Sequence, residues 1–260
     1  MKSKFCLRFA LLAALVVFSL QCFAQTAAAP EITVAAAADL SSALKDIAAD
    51  FEKQSGVSVK LSFAASGALT QQIQNGAPFD VFFSADMDYP RQLIAAGKAD
   101  NASLYRYAVG KLVLWAPADS PIKLAHKGMS VLLESWVTKI AIANPQHAPY
   151  GRAAEAALKH ENYYDKVSSK LVFGENVAQA AQFVESGNAQ VGFIALAHVM
   201  ATRQGKYWIV PEEDYSALDQ GVVVITESKH KKEAEQFVAY IKTKEASEVL
   251  KKYGFSLPEK

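Results

Sequence analysis

The sequence predicts an α/β protein of two lobes, each a mostly parallel sheet flanked by helices, with a ligand cleft at the hinge between them. First, strand and helix patterns alternate along most of the chain, which is typical of doubly wound sheets. Second, two long apolar runs, residues 104–116 and 220–226, contain no helical pattern, and we expect each to cross between lobes. Third, four strand-to-helix turns are rich in small residues and contain no Lys or Arg.

The elements before the first crossing are predicted from the period of their apolar residues, which is two in strands and close to 3.6 in helices. Gly56 and the Gly-Ala-Pro sequence at residues 76–78 end two of the helices. The predicted strands are residues 32–36, 57–63 and 79–84, and the predicted helices are residues 40–54, 69–75 and 87–96.

A second α/β series follows the first crossing, and two helices close the chain. We therefore predict a first lobe from residues 31–110 and 221–260, and a second lobe from residues 111–220. The strands of the second series are residues 140–143, 170–173 and 191–195; its helices are residues 151–160 and 176–185; the closing helices are residues 232–242 and 247–253.

Residues 1–24 are predicted to be a secretory signal peptide. A basic start is followed by an apolar run at residues 9–20, and Cys22-Phe23-Ala24 suits cleavage after Ala24. The alternative of a lipoprotein acylated at Cys22 is weaker, because Gln21 stands where a small residue is expected. We expect an exported, soluble, periplasmic and monomeric protein.

Removing the signal peptide also removes both cysteines and three basic residues. The remaining chain has no Cys, which excludes disulfides and Cys-ligated metals, and it has 24 basic against 26 acidic residues. Such a balance does not suit a nucleic-acid-binding protein, which would have a basic face.

The four turns, at residues 35–39, 63–68, 145–151 and 173–177, suggest the kind of ligand. The start of a helix has unpaired N–H groups and roughly half a positive elementary charge, and it can hold an anion without any cationic side chain. Four such turns meeting in one cleft would form an uncharged oxyanion pocket. This pattern favours binding over catalysis.

Five segments together resemble the periplasmic molybdate-binding proteins of ABC importers, over residues 32–255. The Gly-Ala-Pro-x-Asp-x-x-x-Ser-Ala-Asp sequence at residues 76–86 and the Asn-Pro-x-x-x-Pro-x-Gly sequence at residues 144–151 are specific in combination. The remaining segments are residues 32–37, 62–66 and 253–255. The resemblance implies the two-lobed periplasmic-binding-protein fold, molybdate or tungstate as ligand, an ABC permease as partner, and no cofactor.

The resemblance also implies the site. A family hydroxyl position falls on Asp39, beside Ala38, and a second falls on Ser66. Family backbone contacts fall on Tyr150 and Val177. A tyrosine that some members use falls on Ala195, and Tyr150 is expected to supply that hydroxyl from the opposite side of the cleft.

Asp39 departs from the family pattern, because it has a carboxylate where the family has a hydroxyl. A carboxylate at 4 Å would repel each unit of anion charge by about 4 kcal/mol at an effective dielectric of 20. We expect its side chain to turn away and cap the helix beginning at Leu40, leaving its N–H for the ligand. The alternatives are a pocket for sulfate, phosphate or a small carboxylate, with Asp39 accepting a ligand proton, and a secreted α/β hydrolase.

Other polar residues are expected to be structural. Asp80 and Asp86 lie at strand ends among Phe residues, and we expect them to be caps and not a catalytic pair. The five histidines show no i, i+4 pairing, and no metal site is predicted. His147 lies in the third turn, where we expect it to support the site without contacting the ligand.

Overall fold

The computed structural model describes residues 29–258, so the predicted signal peptide at residues 1–24 lies outside the described residues. Two five-stranded mixed sheets form the framework. No helix in this part of the chain is both long and apolar enough to cross a membrane.

The first sheet has the strand order β2-β1-β3-β10-β4. β1 pairs in parallel with β2 and β3, whereas β10 runs antiparallel to both of its neighbours. Within β1, Val34 and Ala36 join one buried cluster and Ala35 joins the other, so both faces of the sheet are covered. Its strands are β1 Glu31–Ala37, β2 Ser58–Ala64, β3 Val81–Ser84, β4 Tyr105–Gly110 and β10 Leu218–Val224.

The second sheet repeats this plan with the order β7-β6-β8-β5-β9. β6 pairs in parallel with β7 and β8, and β5 runs antiparallel to β8 and β9. In each sheet, therefore, four strands share one direction and the fifth opposes them. The strands are β5 Leu112–Ala116, β6 Ile140–Ala143, β7 Leu171–Gly174, β8 Val191–Ala195 and β9 Lys206–Ile209.

The strands that oppose the others in their sheets, β5 and β10, are also the ones reached when the chain changes sheets. The apolar run at residues 104–116 is two strands, because β4 ends at Gly110 in the first sheet and β5 begins at Leu112 in the second. β10 is the return strand, and it begins at Leu218.

The helices connect the strands and end the chain. Those that begin at the carboxyl ends of β1, β2, β6 and β7 start at the predicted turns. They are α1 Ser41–Ser55, α2 Ser66–Gln74, α3 Asp88–Ala95, α4 Leu124–Lys127, α5 Pro149–His160, α6 Tyr164–Val167, α7 Val177–Glu185, α8 Leu196–Thr202, α9 Lys231–Ile241 and α10 Lys244–Lys252. Short 3-10 turns include Ala38–Leu40, directly before α1, and Glu212–Asp214.

Below, the first lobe means the first sheet with α1–α3, α9 and α10, and the second lobe means the second sheet with α4–α8. The lobes touch at several places beside the cleft. The 3-10 turn Ala38–Leu40 contacts α7 and α8, and α1 contacts α8. The Gly67 N–H of the first lobe donates to the His147 carbonyl oxygen of the second at 2.9 Å. The structure therefore has its lobes in contact around the cleft.

Candidate functional site

A small pocket lies between the lobes, where β1, β2 and β3 of the first sheet and the loops after β6 and β7 of the second come together. Ligands of open α/β sheets bind outside the carboxyl ends of the strands, which is the position of this pocket. Its lining contains one ionisable acid and no Lys, Arg or His. The lining residues are Ala37, Ala38, Asp39, Ala64, Ala65, Ser66, Ala85, Ala148, Pro149, Tyr150, Asn176 and Val177.

The starts of α2 and α5 present N–H groups that no cap side chain uses. The N-cap residues are Ala65 and Ala148, which have no side-chain acceptor. In α5, Pro149 has no N–H, and the Gly151 N–H donates to the Ala148 carbonyl oxygen at 3.0 Å. The Tyr150 N–H is therefore the first-turn donor of α5 that remains for a ligand.

The start of α7 is capped differently. The Asn176 side-chain oxygen accepts hydrogen bonds from the N–H groups of Ala178 and Gln179, each at 3.0 Å. These bonds fix the first turn and do not involve the Val177 N–H. Val177 is 6% exposed and lines the pocket, and its backbone N–H is the group it could offer to a ligand.

Ser66 offers a hydroxyl hydrogen as well as an N–H. The side chain is 1% exposed, and its Oγ accepts a hydrogen bond from the Ala85 N–H at 3.0 Å. Because the oxygen is held as an acceptor, the single hydroxyl hydrogen remains free to donate to an anion in the pocket.

Tyr150 carries a second hydroxyl from the opposite lobe. The residue is 2% exposed, and its hydroxyl has no hydrogen-bond partner of ordinary geometry among the described residues. It lies against Gly110, where any β-carbon would collide with the hydroxyl oxygen. Burial, reinforced by the nearby Asp39 charge, raises the pKa of Tyr150 well above its ordinary value, so the hydroxyl keeps its proton.

Asp39 does not cap the following helix, and that expectation was wrong. No side-chain cap bond forms at the 3-10 turn Ala38–Leu40 or at α1. Instead, Asp39 Oδ2 accepts a hydrogen bond from the Gln220 side chain, on a strand 181 positions later in the chain. Burial raises the pKa of Asp39 to about 6, and the hydrogen bond from Gln220 opposes this shift.

The Tyr150 hydroxyl lies close enough to the Asp39 carboxylate to lower the pKa of that group. The geometry between the two falls outside that of an ordinary hydrogen bond, and both Tyr150 Oη and Asp39 Oδ1 are without a partner among the described residues. The Tyr150 hydroxyl and the Asp39 carboxylate are therefore neighbours that do not form a hydrogen bond of ordinary geometry.

The five residues predicted for the site, Ala38, Asp39, Ser66, Tyr150 and Val177, all line this pocket. Their contact with a ligand stays a prediction. Two residues that the sequence did not single out also belong to the site: Gln220, and Tyr107, whose hydroxyl donates to Gln220 Oε1 at 2.6 Å. Both lie on strands of the first sheet and are brought to Asp39 only by the fold.

The cation nearest in sequence to these donors is Arg152, one turn into α5, and it is paired. Its guanidinium contacts Asp86 and donates to the Tyr89 hydroxyl at 3.2 Å, both in the first lobe. His147 does not line the pocket; its ring lies 3.2 Å from the Glu175 carbonyl oxygen. Charge at the pocket is therefore set by Asp39 and the helix starts.

Asp80 and Asp86 make structural hydrogen bonds. Asp80 accepts from the Thr33 N–H and the Ser228 hydroxyl, each at 2.7 Å. Asp86 accepts from the Tyr89 N–H at 3.1 Å, and burial raises its pKa although Arg152 opposes the shift.

One cluster outside the pocket has the composition of a metal site. His160, Glu161 and Asp214 place one ligand atom each within 4.8 Å of the others. The histidine Nδ1 is already 2.9 Å from Asp214 Oδ1, which an ordinary hydrogen bond explains. Spacing along the sequence did not indicate this group, because Asp214 lies 54 positions after His160.

The two-lobed fold and the pocket of helix starts define a solute-binding protein. A family model described as bacterial extracellular solute-binding protein matches residues 32–256, and the chain belongs to this family. Within it, the chain is 42% identical over 241 residues to a molybdate-binding protein, ModA, of Azotobacter vinelandii, covering 92% of this chain and 93% of that one.

Solved structures agree with this placement. The periplasmic molybdate-binding protein of Azotobacter vinelandii superposes with a TM-score of 0.83 at 36% identity, covering 88% of this chain and all of that one. The substrate-binding domain of a putative molybdenum ABC transporter from Clostridium difficile gives a TM-score of 0.67 at 30% identity, covering 88% of this chain and 99% of that one.

Proposed function

We propose that this protein binds molybdate, and tungstate in the same way, in the pocket between its lobes outside the cytoplasmic membrane. One observation carries the proposal: helix starts from both lobes meet in a pocket that contains no cationic side chain. The similarity to proteins named as molybdate-binding supports molybdate as the dianion that is bound. Binding and release need no covalent step, so the protein acts as a receptor and not as an enzyme.

The donors are hydroxyl and backbone hydrogens. They are the Ser66 and Tyr150 hydroxyls, with the N–H groups of Ala38, Asp39, Ser66, Tyr150 and Val177. A hydrogen bond to a charged group contributes about 1.5–3 kcal/mol, and several together give sub-micromolar affinity. Uncharged donors favour an oxyanion without protons, because a ligand proton would face another donor. We expect the size of the pocket to separate molybdate and tungstate from the smaller sulfate.

Delivery requires that the anion be enclosed and then released. We infer that residues 31–110 with 221–260 move as one lobe and residues 111–220 as the other, and that closing the hinge buries the anion. The Gly67 to His147 hydrogen bond and the Arg152 to Asp86 ion pair would both break on opening, since each joins the two lobes.

The partner is the permease of an ABC importer, which would recognise the closed form. The ABC transporter named for the Clostridium difficile relative supports this assignment. We propose that the protein works as a monomer in the periplasm after removal of residues 1–24.

A second candidate ligand is hydrogen phosphate, and Asp39 is the observation that favours it. A carboxylate in the pocket can accept the proton of a protonated oxyanion, which molybdate at neutral pH does not carry. This candidate predicts that phosphate binds more tightly than molybdate.

Calorimetric titration of the purified protein with molybdate, tungstate, sulfate and phosphate tests the proposal. We expect one anion per chain, sub-micromolar dissociation constants for the first two, and affinity at least a hundredfold weaker for the others. Ser66→Ala should weaken molybdate binding about 10- to 100-fold through loss of one charge-assisted hydrogen bond. Ser186→Ala, at the exposed end of α7, is the control and should bind normally. Absence of heat with molybdate and tungstate would refute the proposal.

A further inference from the structure

Two buried polar atoms of the pocket have no hydrogen-bond partner among the described residues, and they belong to opposite lobes. They are Asp39 Oδ1 and Tyr150 Oη. Unpaired buried polar atoms are rare in folded proteins and need an explanation. Here both residues line the proposed ligand site, which suggests that the missing partners come with the ligand.

The other carboxylate oxygen of Asp39 is already fixed. The Tyr107 hydroxyl donates to Gln220 Oε1 at 2.6 Å, which orients the Gln220 amide so that its NH₂ group faces Asp39. That NH₂ group donates to Asp39 Oδ2. Oδ1 is consequently the atom of Asp39 that can accept a proton without breaking this network.

The surroundings of Asp39 favour its neutral form. Burial is the largest effect and raises its pKa to about 6, and the leading opposing effects are hydrogen bonds and not a cation. Tyr107 and Tyr150 face it, and burial keeps the pKa of both phenols well above the ordinary value. Three helices contact Ala38–Leu40, namely α1, α7 and α8. Glu185 of α7 and His198 of α8 pair with each other. The charged residues of α1 are Lys45, Asp46, Asp50, Glu52 and Lys53.

We propose that Asp39 takes up one proton from solvent when the oxyanion binds, so that a neutral acid faces the ligand. The proton bonds to Oδ1, and the new O–H group donates to the Tyr150 hydroxyl oxygen. Tyr150 then donates its own hydrogen to the anion. Without that proton, the carboxylate and the anion would compete for the same Tyr150 hydrogen. This inference rests on the proposed function and adds a proton dependence to it.

The direction of the pH dependence follows from linkage. A dianion in the pocket raises the pKa of Asp39 above its ligand-free value of about 6. The bound form thus holds a proton that the free form has lost, and binding weakens as pH rises between the two pKa values. The dissociation constant should increase up to tenfold per pH unit above about pH 6, and it should be constant well below that.

Calorimetry of molybdate binding to the purified protein from pH 5.5 to 8.5 measures the dissociation constant. At pH 7.5, where Tris and imidazole both buffer, the difference in heat between these two buffers measures proton uptake. We expect uptake approaching one proton per anion at pH 7.5. Asp39→Asn, which is uncharged and of the same shape, should bind without uptake and with a dissociation constant independent of pH. Asp214→Asn is the matched control, because Asp214 is also buried, has a raised pKa and has one unpartnered oxygen, but lies outside the pocket.

The outcomes separate this inference from the proposed function. Molybdate binding to the native protein without proton uptake overturns the inference and leaves the proposed function standing. Uptake retained by Asp39→Asn, or lost in Asp214→Asn, also overturns it. If Asp39→Asn does not fold, the number of protons that the native protein takes up per anion bound is by itself the test of the inference. Absence of molybdate binding at every pH overturns the proposed function, and this inference with it.

Discussion

The proposed role of Tyr150 predicts opposite effects of its hydroxyl on the stability of the free protein and on ligand binding. Its hydroxyl is buried without a partner, so Tyr150→Phe should leave the free energy of unfolding unchanged or raise it by about 1 kcal/mol. The same change should weaken molybdate binding about 10- to 100-fold, because a donor to the anion is lost. Chemical denaturation and calorimetry measure the two effects.

Tyr215→Phe is the control for this prediction. The Tyr215 hydroxyl accepts a hydrogen bond from the Leu112 N–H at 3.2 Å, so its loss should lower stability and leave affinity unchanged. A Tyr150→Phe protein that is less stable yet binds normally would contradict the role given to this hydroxyl.

Asp39 makes the stability of the ligand-free protein depend on pH. Its pKa is about 6 in the folded protein against 3.8 for a free side chain, so ionisation costs more in the folded state. This penalty is absent below pH 3.8, grows as pH rises to about 6, and is fully present above it.

The penalty is on the order of 3 kcal/mol above pH 6, because each pKa unit corresponds to about 1.4 kcal/mol. Asp39→Asn should therefore stabilise the free protein by up to that amount at pH 8 and by little at pH 4. Urea denaturation of both proteins at the two pH values measures this. An equal difference at both values would show that the Asp39 pKa is not raised.

Local sequence patterns predict which turns line the site but not the long-range hydrogen bonds within it. Ser66, Tyr150 and Val177 were predicted for the site because each lies in a turn whose position follows from local patterns and a family resemblance. The hydrogen bond of Asp39 was not predicted, since Gln220 is 181 positions away and no local pattern reports its side chain. From the sequence, the nearest partners for the Asp39 side chain were the N–H groups of the following helix. In the folded protein, the Gln220 side chain is its partner instead.

At the scale of elements, α5 carries the proposed ligand donor Tyr150 and also joins the lobes. Arg152, two positions after Tyr150, pairs with Asp86 of the first lobe and lies 5.3 Å from the Tyr89 ring. The Arg152 side chain is 43% exposed, so we expect the pair to contribute no more than about 1 kcal/mol.

Arg152→Ala should accordingly release molybdate about two- to fivefold faster, with the association rate changed less, as stopped-flow fluorescence can measure. Lys159→Ala is the control, because Lys159 is on the same helix and its ion pair, with Glu155, and its contact with the Tyr164 ring both stay within the second lobe. Equal release rates for the native protein and Arg152→Ala would mean that this ion pair does not help to hold the lobes closed.

Elements with strong periodicity were predicted within a few residues, and those without it were missed. β6 and β8 have their predicted bounds. β9 was missed because Lys206–Ile209 is a short edge strand whose residues are mostly exposed, so no alternation marks it. α8 was missed because it begins at Leu196, directly after β8, with Ala195 in place of a recognisable cap. The apolar run at residues 104–116 is divided into β4 and β5, and Gly110 was the residue in the sequence that indicated this division.

At the scale of the whole molecule, the repeated strand order makes each lobe a similar half of one binding site. Each sheet presents the carboxyl ends of its parallel strands, and the helix starts there face each other across the cleft. A ligand held by both halves stabilises the closed arrangement of the entire chain.

Molybdate at a thousand times its dissociation constant should add about 4 kcal/mol to the stability. For a chain of this length that corresponds to a rise of about 10 °C in Tm, which differential scanning calorimetry can record. Sulfate at the same concentration should give a much smaller rise. Equal rises with both anions would contradict the proposed selectivity.

The central claim is that uncharged donors from both lobes hold a tetrahedral dianion, and a crystal structure of the protein grown with molybdate tests it most directly. We predict one anion between the lobes, with its oxygens 2.7–3.1 Å from the Ser66 and Tyr150 hydroxyls and from the Val177 N–H. Arg152 should remain paired with Asp86. An anion bound elsewhere, or one held by Arg152 or another cation, would contradict the account.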